Sequence, residues 1–314
     1  MASVLWVVLL LAGVGLIVWG AETFAEHLAA ASVRLGVSSF ALALLLAGAE
    51  PEEVATAITA SARDLPAIAF GDVIGANVAV CLVAVGVGAA VAPLPFGPRV
   101  RRYAVAGLPL GALAAWSSWD GRVSRLEGLV LAAGYVAFVA TIWIIERHPP
   151  ALGEVAELDD VGNRPGRIGR ELVLVLAGLA AMAVGASVLV EGVRRLSGAE
   201  STQTNLGLTV VGFATAFELV VLAWSSARRG MTETVIAAVV GSFAYNATMT
   251  LGAGALTRPL AIADAASLHP AWMAMIASLA AVLIAATGGS ISRPRGAALL
   301  ACYPCFVVLV LVAG

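Results

Sequence analysis

Leu46-Ala47-Gly48-Ala49-Glu50-Pro51-Glu52-Glu53-Val54-Ala55-Thr56 sets three glutamates and a proline inside a long apolar segment. A second segment, Gly212-Phe213-Ala214-Thr215-Ala216-Phe217-Glu218-Leu219, echoes it, with Glu218 standing 165 positions after Glu53 (53 against 218). A carboxylate at bilayer depth costs about 2.5–3.5 kcal/mol or more unless it faces a polar cavity, a partner or an ion. Two of them at matched positions of a duplicated chain imply a cation site at the interface of two repeats.

The apolar setting extends along the whole chain. Of its 314 residues, 61% are hydrophobic and only 12% charged, where a soluble domain carries about a quarter charged residues. Apolar runs recur throughout, each long enough to cross a hydrocarbon core about 30 Å thick. They are continuous rather than alternating, which excludes a β-barrel. The expected fold is an all-α polytopic membrane protein with ten spans, at 3–26, 38–61, 67–92, 102–118, 124–146, 170–195, 205–227, 231–256, 268–287 and 295–313. The first run, Val4 to Trp19, lacks the basic leader and small-residue cleavage site of a signal peptide and reads as a retained span. Cys81, Cys302 and Cys305 fall in apolar segments and read as packing residues, with no disulfide or metal spacing.

One long polar stretch, Glu146 to Arg170, is rich in Pro, Gly and acidic residues and reads as a linker. It divides the chain into a first five-helix repeat (1–146), a linker (147–169) and a second five-helix repeat (170–314). The halves echo each other at near-constant offset: Gly20-Ala21 with Gly185-Ala186, Gly75-Ala76 with Gly241-Ser242, and Ser124-Arg125-Leu126-Glu127-Gly128 with Ser292-Arg293-Pro294-Arg295-Gly296. An odd number of spans per repeat inverts the second copy in the membrane, an architecture that lets one site face either side. Every basic residue is an arginine. With the N-terminus outside, twelve arginines fall in inside loops and six in outside loops, so both termini are expected outside and the linker in the cytoplasm.

The chemistry gathers in four spans. Glu50 and Glu53 are three apart and share a helical face, whereas Glu52 points about 100° away from Glu53. Pro51 removes a backbone donor and frees carbonyl oxygens nearby, and a hard cation takes carboxylate, carbonyl and hydroxyl oxygens. Thr215 and Glu218 are likewise three apart in the seventh span. The third span offers Asp72 and Asn77, and the eighth offers Ser242, Tyr245, Asn246 and Thr248. Gly71, Gly75 and Gly241 permit the close helix approach that a compact ion site requires. Glu22, Glu26 and His27 read as a solvated face at one end of the first span. Asp120, Arg122, Arg125 and Glu127 read as interfacial anchors. His27, His148 and His269 do not converge, and no nucleophile, metal set or phosphate cluster marks an enzyme.

On these residues the chain resembles the sodium/calcium exchanger family of calcium/cation antiporters. That family carries two inverted repeats with motifs near Gly-Thr-Ser-x-Pro-Glu-x-x-Thr-Ser and Gly-Asn-x-Ile-Gly-Ser-Asn-x-x-Asn. Here the first repeat reads Gly48-Ala49-Glu50-Pro51-Glu52-Glu53-Val54-Ala55-Thr56-Ala57, then Gly71-Asp72-Val73-Ile74-Gly75-Ala76-Asn77-Val78-Ala79-Val80. The second reads Phe213 to Leu219, then Val240-Gly241-Ser242-Phe243-Ala244-Tyr245-Asn246. The resemblance implies that Glu53 and Glu218 are the metal-binding carboxylates, that Asn246 is their polar partner, and that Thr215 and Ser242 lend oxygens; Glu50 and Asn77, polar residues of the second and third spans, complete the expected cation-binding set. Pro51-Glu52 matches the motif's Pro-Glu dipeptide and keeps Glu52 open as the ligand. Glu53 is preferred because it preserves the spacing to Gly48 and Gly75. The motif's hydroxyl and polar positions are Ala49, Glu50, Ala76 and Val80 here, which weakens sodium sites, while the added carboxylate at 50 offers a proton-binding group.

The expectation is a secondary antiporter in a prokaryotic plasma membrane. It would exchange a divalent cation, calcium first, for sodium or protons, with inorganic cations and the lipid bilayer as partners, no nucleic acid and no cofactor. The alternative is an exchanger-fold membrane protein that has lost transport and serves as a scaffold or regulator.

Overall fold

The computed structural model describes residues 2–34, 50–146, 168–230 and 232–313. Apart from two short strand pairs and the turns between elements, these residues are helical. In chain order the helices are α1 (Ala2–Arg34), α2 (Pro51–Ala62), α3 (Pro66–Ala79), α4 (Val85–Val91), α5 (Pro98–Ser117), α6 (Arg125–Glu146) and α7 (Ile168–Leu196). There follow α8 (Glu200–Leu206), α9 (Gly212–Thr215), α10 (Phe217–Arg228), α11 (Thr232–Tyr245), α12 (Leu251–Thr257), α13 (His269–Ala285) and α14 (Arg293–Ala313). Wide π turns at Val80–Ala84, Gly207–Val211 and Asn246–Thr250 join α3 to α4, α8 to α9 and α11 to α12. Such turns interrupt regular helix hydrogen bonding and often lie beside functional sites.

Local sequence explains where the helices start. Proline occupies the opening turn of α2, α3 and α5, where its fixed φ suits the helix and its missing N–H is not needed. Before α6, Ser124 N donates to Glu127 Oε2 at 2.7 Å and Glu127 N donates to Ser124 Oγ at 3.3 Å, a reciprocal cap. Asp120 Oδ1 accepts from Arg122 N at 3.0 Å close by.

Among the described residues, eight helices are long and apolar enough to cross a membrane. The second expected span lies partly outside the described residues. The fourth forms the 20-residue α5, which opens on Arg99, Arg101 and Arg102 and is not one of the eight. The spans 66–91 and 235–257 form the centre of the bundle, with 83% and 89% of their apolar windows buried, against 22% for Arg293–Val312 at the rim.

α1 and α7 pack along their length with glycines against backbone. A Cβ on Gly13 would meet Gly185 O at 2.9 Å, and one on Gly20 would meet Gly178 O at 2.8 Å. As one helix ascends the other descends, so the two run antiparallel. Four two-residue strands, not expected from the sequence, pair antiparallel: β1 (Leu94–Pro95) with β4 (Ser290–Ile291), and β2 (Arg122–Val123) with β3 (Leu260–Ala261). Where the chain turns at a helix end it needs partners for its exposed N–H and C=O groups, and another turn supplies them.

Candidate cation site

α2 starts beside its own glutamates. Glu50 stands at the N-terminal cap with φ −114° and ψ 80°, outside helical geometry, and its carbonyl accepts from Glu53 N at 3.1 Å and Val54 N at 3.2 Å. Glu52 and Glu53 thus occupy the first turn, where the helix dipole favours negative charge. The expected continuous helical face shared by Glu50 and Glu53 is corrected: the helix begins between them, because proline cannot continue a helix from its N-terminal side. Gly48 and Ala49 lie outside the described residues. In the second half, Thr215 closes α9, and Ala216 separates it from α10, of which Glu218 is the second residue. Ala216 keeps right-handed helical angles (φ −69°, ψ −9°), and Ala216 N donates to Gly212 O at 3.2 Å and Val220 N to Ala216 O at 3.3 Å, so the chain coils on from Thr215 to Glu218.

Glu53, Asp72, Asn77, Ser242 and Asn246 are wholly buried, Glu50, Glu52 and Thr215 nearly so, and Glu218 is half-buried. Thr215 Oγ1 donates to Asp72 Oδ1 at 2.9 Å, with the carbonyl of Val211 also in reach at 3.2 Å. Neither oxygen of Glu53 has a hydrogen-bond partner, nor do Asp72 Oδ2 and Asn77 Oδ1. Among charged neighbours, Asp72 acts most strongly on Glu53, followed by Glu52 and Glu218. Tyr245, on α11, feels Glu52, Glu50 and Glu53. A buried carboxylate without a partner is costly, so this cluster is arranged to receive positive charge.

Close backbone approach brings the carboxylates and Thr215 together. A Cβ on Gly71 would lie 2.6 Å from Gly207 Cα, and one on Gly212 would lie 2.5 Å from Ala76 N. A larger residue at Gly71 would push α3 from the Gly207–Val211 turn, and one at Gly212 would push it from α9, either way parting Asp72 from Thr215.

The remaining expected ligands have other primary contacts. Asn246 Nδ2 donates to Ser242 Oγ at 3.2 Å, and Asn246 Oδ1 accepts from Thr250 Oγ1 at 3.1 Å, a ladder along α11 and its π turn. Asn77 Nδ2 points at Phe243 O (3.4 Å) and Met275 Sδ (3.5 Å). Among the described residues, no three His, Cys, Asp or Glu side chains gather closely enough to hold a metal ion by themselves. A bound cation would therefore draw also on hydroxyls, carbonyls or its own water.

Two further features went unread in the sequence. Asp72 was legible as an acidic residue in the third apolar run, yet nothing in the one-dimensional pattern joined it to Thr215, 143 positions away. His27 Nδ1 lies 2.6 Å from Glu171 Oε2, so His27 bridges α1 to α7 and does not belong to a purely solvated face.

The profile of the sodium/calcium exchanger protein family matches residues 5–144 and 170–312. The sodium/calcium exchanger MaX1 of Methanosarcina acetivorans is 25% identical, the match covering 96% of this chain and 97% of MaX1. The inner membrane protein YrbG of Escherichia coli is 22% identical, covering 80% of this chain and 79% of YrbG. A solved structure of the sodium-calcium exchanger NCX_Mj superposes with a TM-score of 0.64 at 22% identity, over 98% of each chain. That likeness establishes a shared fold.

Proposed function

Because the chain belongs to the sodium/calcium exchanger protein family, and so is a membrane cation antiporter rather than an enzyme, we propose that it exchanges a divalent cation, calcium first, for sodium or protons by alternating access. The cations would compete for Glu53 and Glu218, with Thr215 and Glu50 lending oxygens and Asn246, Ser242 and Asn77 completing the set. The observation that carries this reading is Glu53, wholly buried in a membrane-spanning bundle with both carboxylate oxygens unpartnered. A protein that had only to fold would replace such a group with an apolar side chain. This weighs against the scaffold alternative.

The architecture proposed for the exchange is two inverted five-helix repeats, 1–146 and 170–314, joined by a cytoplasmic linker at 147–169. Both termini lie outside a prokaryotic plasma membrane in this reading. Several regularities support it. α2 and α10 are both 12 residues long and begin 166 positions apart (51 and 217). α3 and α11 are both 14 residues long with the same offset (66 and 232), as are the π turns at 80 and 246. The strands follow nearly the same shift, β1 to β3 at 166 positions (94 and 260) and β2 to β4 at 168 (122 and 290), so the pairs β1–β4 and β2–β3 exchange with each other, and α1 runs antiparallel to α7. The offset of 166 pairs Glu218 with Glu52, whereas the electrostatic neighbourhood joins Glu218 to Glu53. Glu53 is kept as the ligand because its oxygens are the ones left without partners.

Calcium-45 uptake into proteoliposomes under imposed sodium and pH gradients tests the proposal. Gradient-driven uptake in the wild type, abolished by Glu53→Gln and by Glu218→Gln, is the expected result. No uptake by folded wild-type protein under either gradient would overturn calcium exchange. Uptake that needs sodium and ignores pH would remove the proton as counter-ion.

A further inference from the structure

We infer that Asp72 sets the site's preference for a divalent over a monovalent cation, by holding the hydroxyl of Thr215 and adding a fixed charge beside Glu53. The inference rests on the exchanger reading above and concerns a residue outside the ligand set proposed there.

Thr215 has one hydroxyl hydrogen and two oxygen lone pairs. Asp72 Oδ1 takes the hydrogen at 2.9 Å, which leaves the oxygen's lone pairs for a cation. Asp72 Oδ2 is buried and unpartnered, so the carboxylate is only half used by this bond. The motif quoted above has asparagine where this chain has Asp72. An asparagine oxygen can accept the same hydrogen bond from Thr215, so holding the hydroxyl does not by itself require a carboxylate. What the carboxylate adds is charge, next to a glutamate that already lacks partners. The third span carries Ala76 and Val80, which offer a cation no side-chain oxygen. The close approach of Gly71 to Gly207 and of Gly212 to Ala76 keeps the two side chains at this separation.

The attraction between a fixed charge and an ion scales with the ion's charge. Removing one unit at Asp72 therefore weakens a divalent ion by twice as much, on a logarithmic scale, as a monovalent one. A residue that merely braced the helices would show no such asymmetry.

The experiment is equilibrium calcium-45 binding to the purified full chain at one pH, with sodium as competitor. Asp72→Asn keeps the acceptor for Thr215 and removes the charge. It is expected to raise the calcium dissociation constant about tenfold and the sodium competition constant about threefold. Asp72→Ala, which also removes the acceptor that draws the Thr215 hydroxyl away from its own helix carbonyls, is expected to weaken calcium further. Unchanged constants for both ions in Asp72→Asn would overturn the inference. So would equal factors for both ions, the pattern of a loosened or partly misfolded site. Glu53→Gln in the same assay keeps the two readings apart: if it binds calcium as the wild type does, the proposed exchange site fails whatever Asp72→Asn shows.

Discussion

Gly212→Ala offers a demanding test of how the site is held. The new methyl carbon would lie 2.5 Å from Ala76 N, 2.6 Å from Gly75 C and 2.7 Å from Gly75 Cα. All three are backbone atoms that cannot swing aside. Restoring ordinary carbon contact at about 3.5 Å requires α9 and α3 to separate by about 1 Å. Overpacking of this kind costs about 1–3 kcal/mol. At about 2–4 °C per kcal/mol, the melting temperature should fall by about 2–12 °C. The same separation would stretch the 2.9 Å Thr215–Asp72 bond to about 3.9 Å, beyond hydrogen-bonding range. A hydrogen bond to a charged group contributes about 1.5–3 kcal/mol, so calcium affinity should drop about ten- to a hundredfold. Gly15→Ala is the control, because a Cβ there meets nothing within 4 Å. It should be neutral or gain up to about 1 kcal/mol from helix propensity. Thermal unfolding followed by intrinsic tryptophan fluorescence reads stability, and calcium-45 binding reads the site. Wild-type stability and affinity in Gly212→Ala, or an equal loss in Gly15→Ala, would refute the reasoning.

Thr215→Val removes the donor to Asp72 while keeping the shape, leaving buried Asp72 Oδ1 without that bond. Stability should fall by about 1–3 kcal/mol and calcium affinity with it, measured by the same two assays. Opening the His27–Glu171 contact between α1 and α7 with His27→Gln should change stability by no more than about 1 kcal/mol, since the pair is only partly buried. A larger loss in thermal unfolding would mean that this contact fixes the helix pair. For orientation, Val155→Cys in a chain with Cys81, Cys302 and Cys305 replaced by alanine should react with an impermeant maleimide in inside-out vesicles and not in intact cells. The reverse pattern would turn the proposed topology over.

The membrane class and the family were legible in the linear sequence because both are written in local properties. Runs of apolar residues long enough to cross a bilayer need no tertiary information, and a glutamate in such a run identifies itself by its cost. Glu53 and Glu218 stood out in this way, and Glu218 is among the charged neighbours of Glu53. Other features depended on neighbours. The ladder that links Asn246 to Ser242 and Thr250 could not be read from the sequence, because it depends on how the side chains meet along α11 and its π turn. The helical face drawn through Glu50 and Glu53 assumed a continuous helix. Pro51 marked a disruption, but the sequence did not say whether the helix would kink there or start afresh.

By itself, then, the sequence determined that the chain spans a membrane, which family it resembles and which carboxylates lie at bilayer depth, all consequences of composition and spacing within single segments. Only the tertiary structure decided which buried groups meet. The Asp72–Thr215 bond joins residues 143 positions apart, and the backbone contacts of Gly71 and Gly212 exist only once α3 packs against the Gly207–Val211 turn and α9. Hydrogen bonds and helix packing act across space over a few ångströms, and separation along the chain carries no record of that distance.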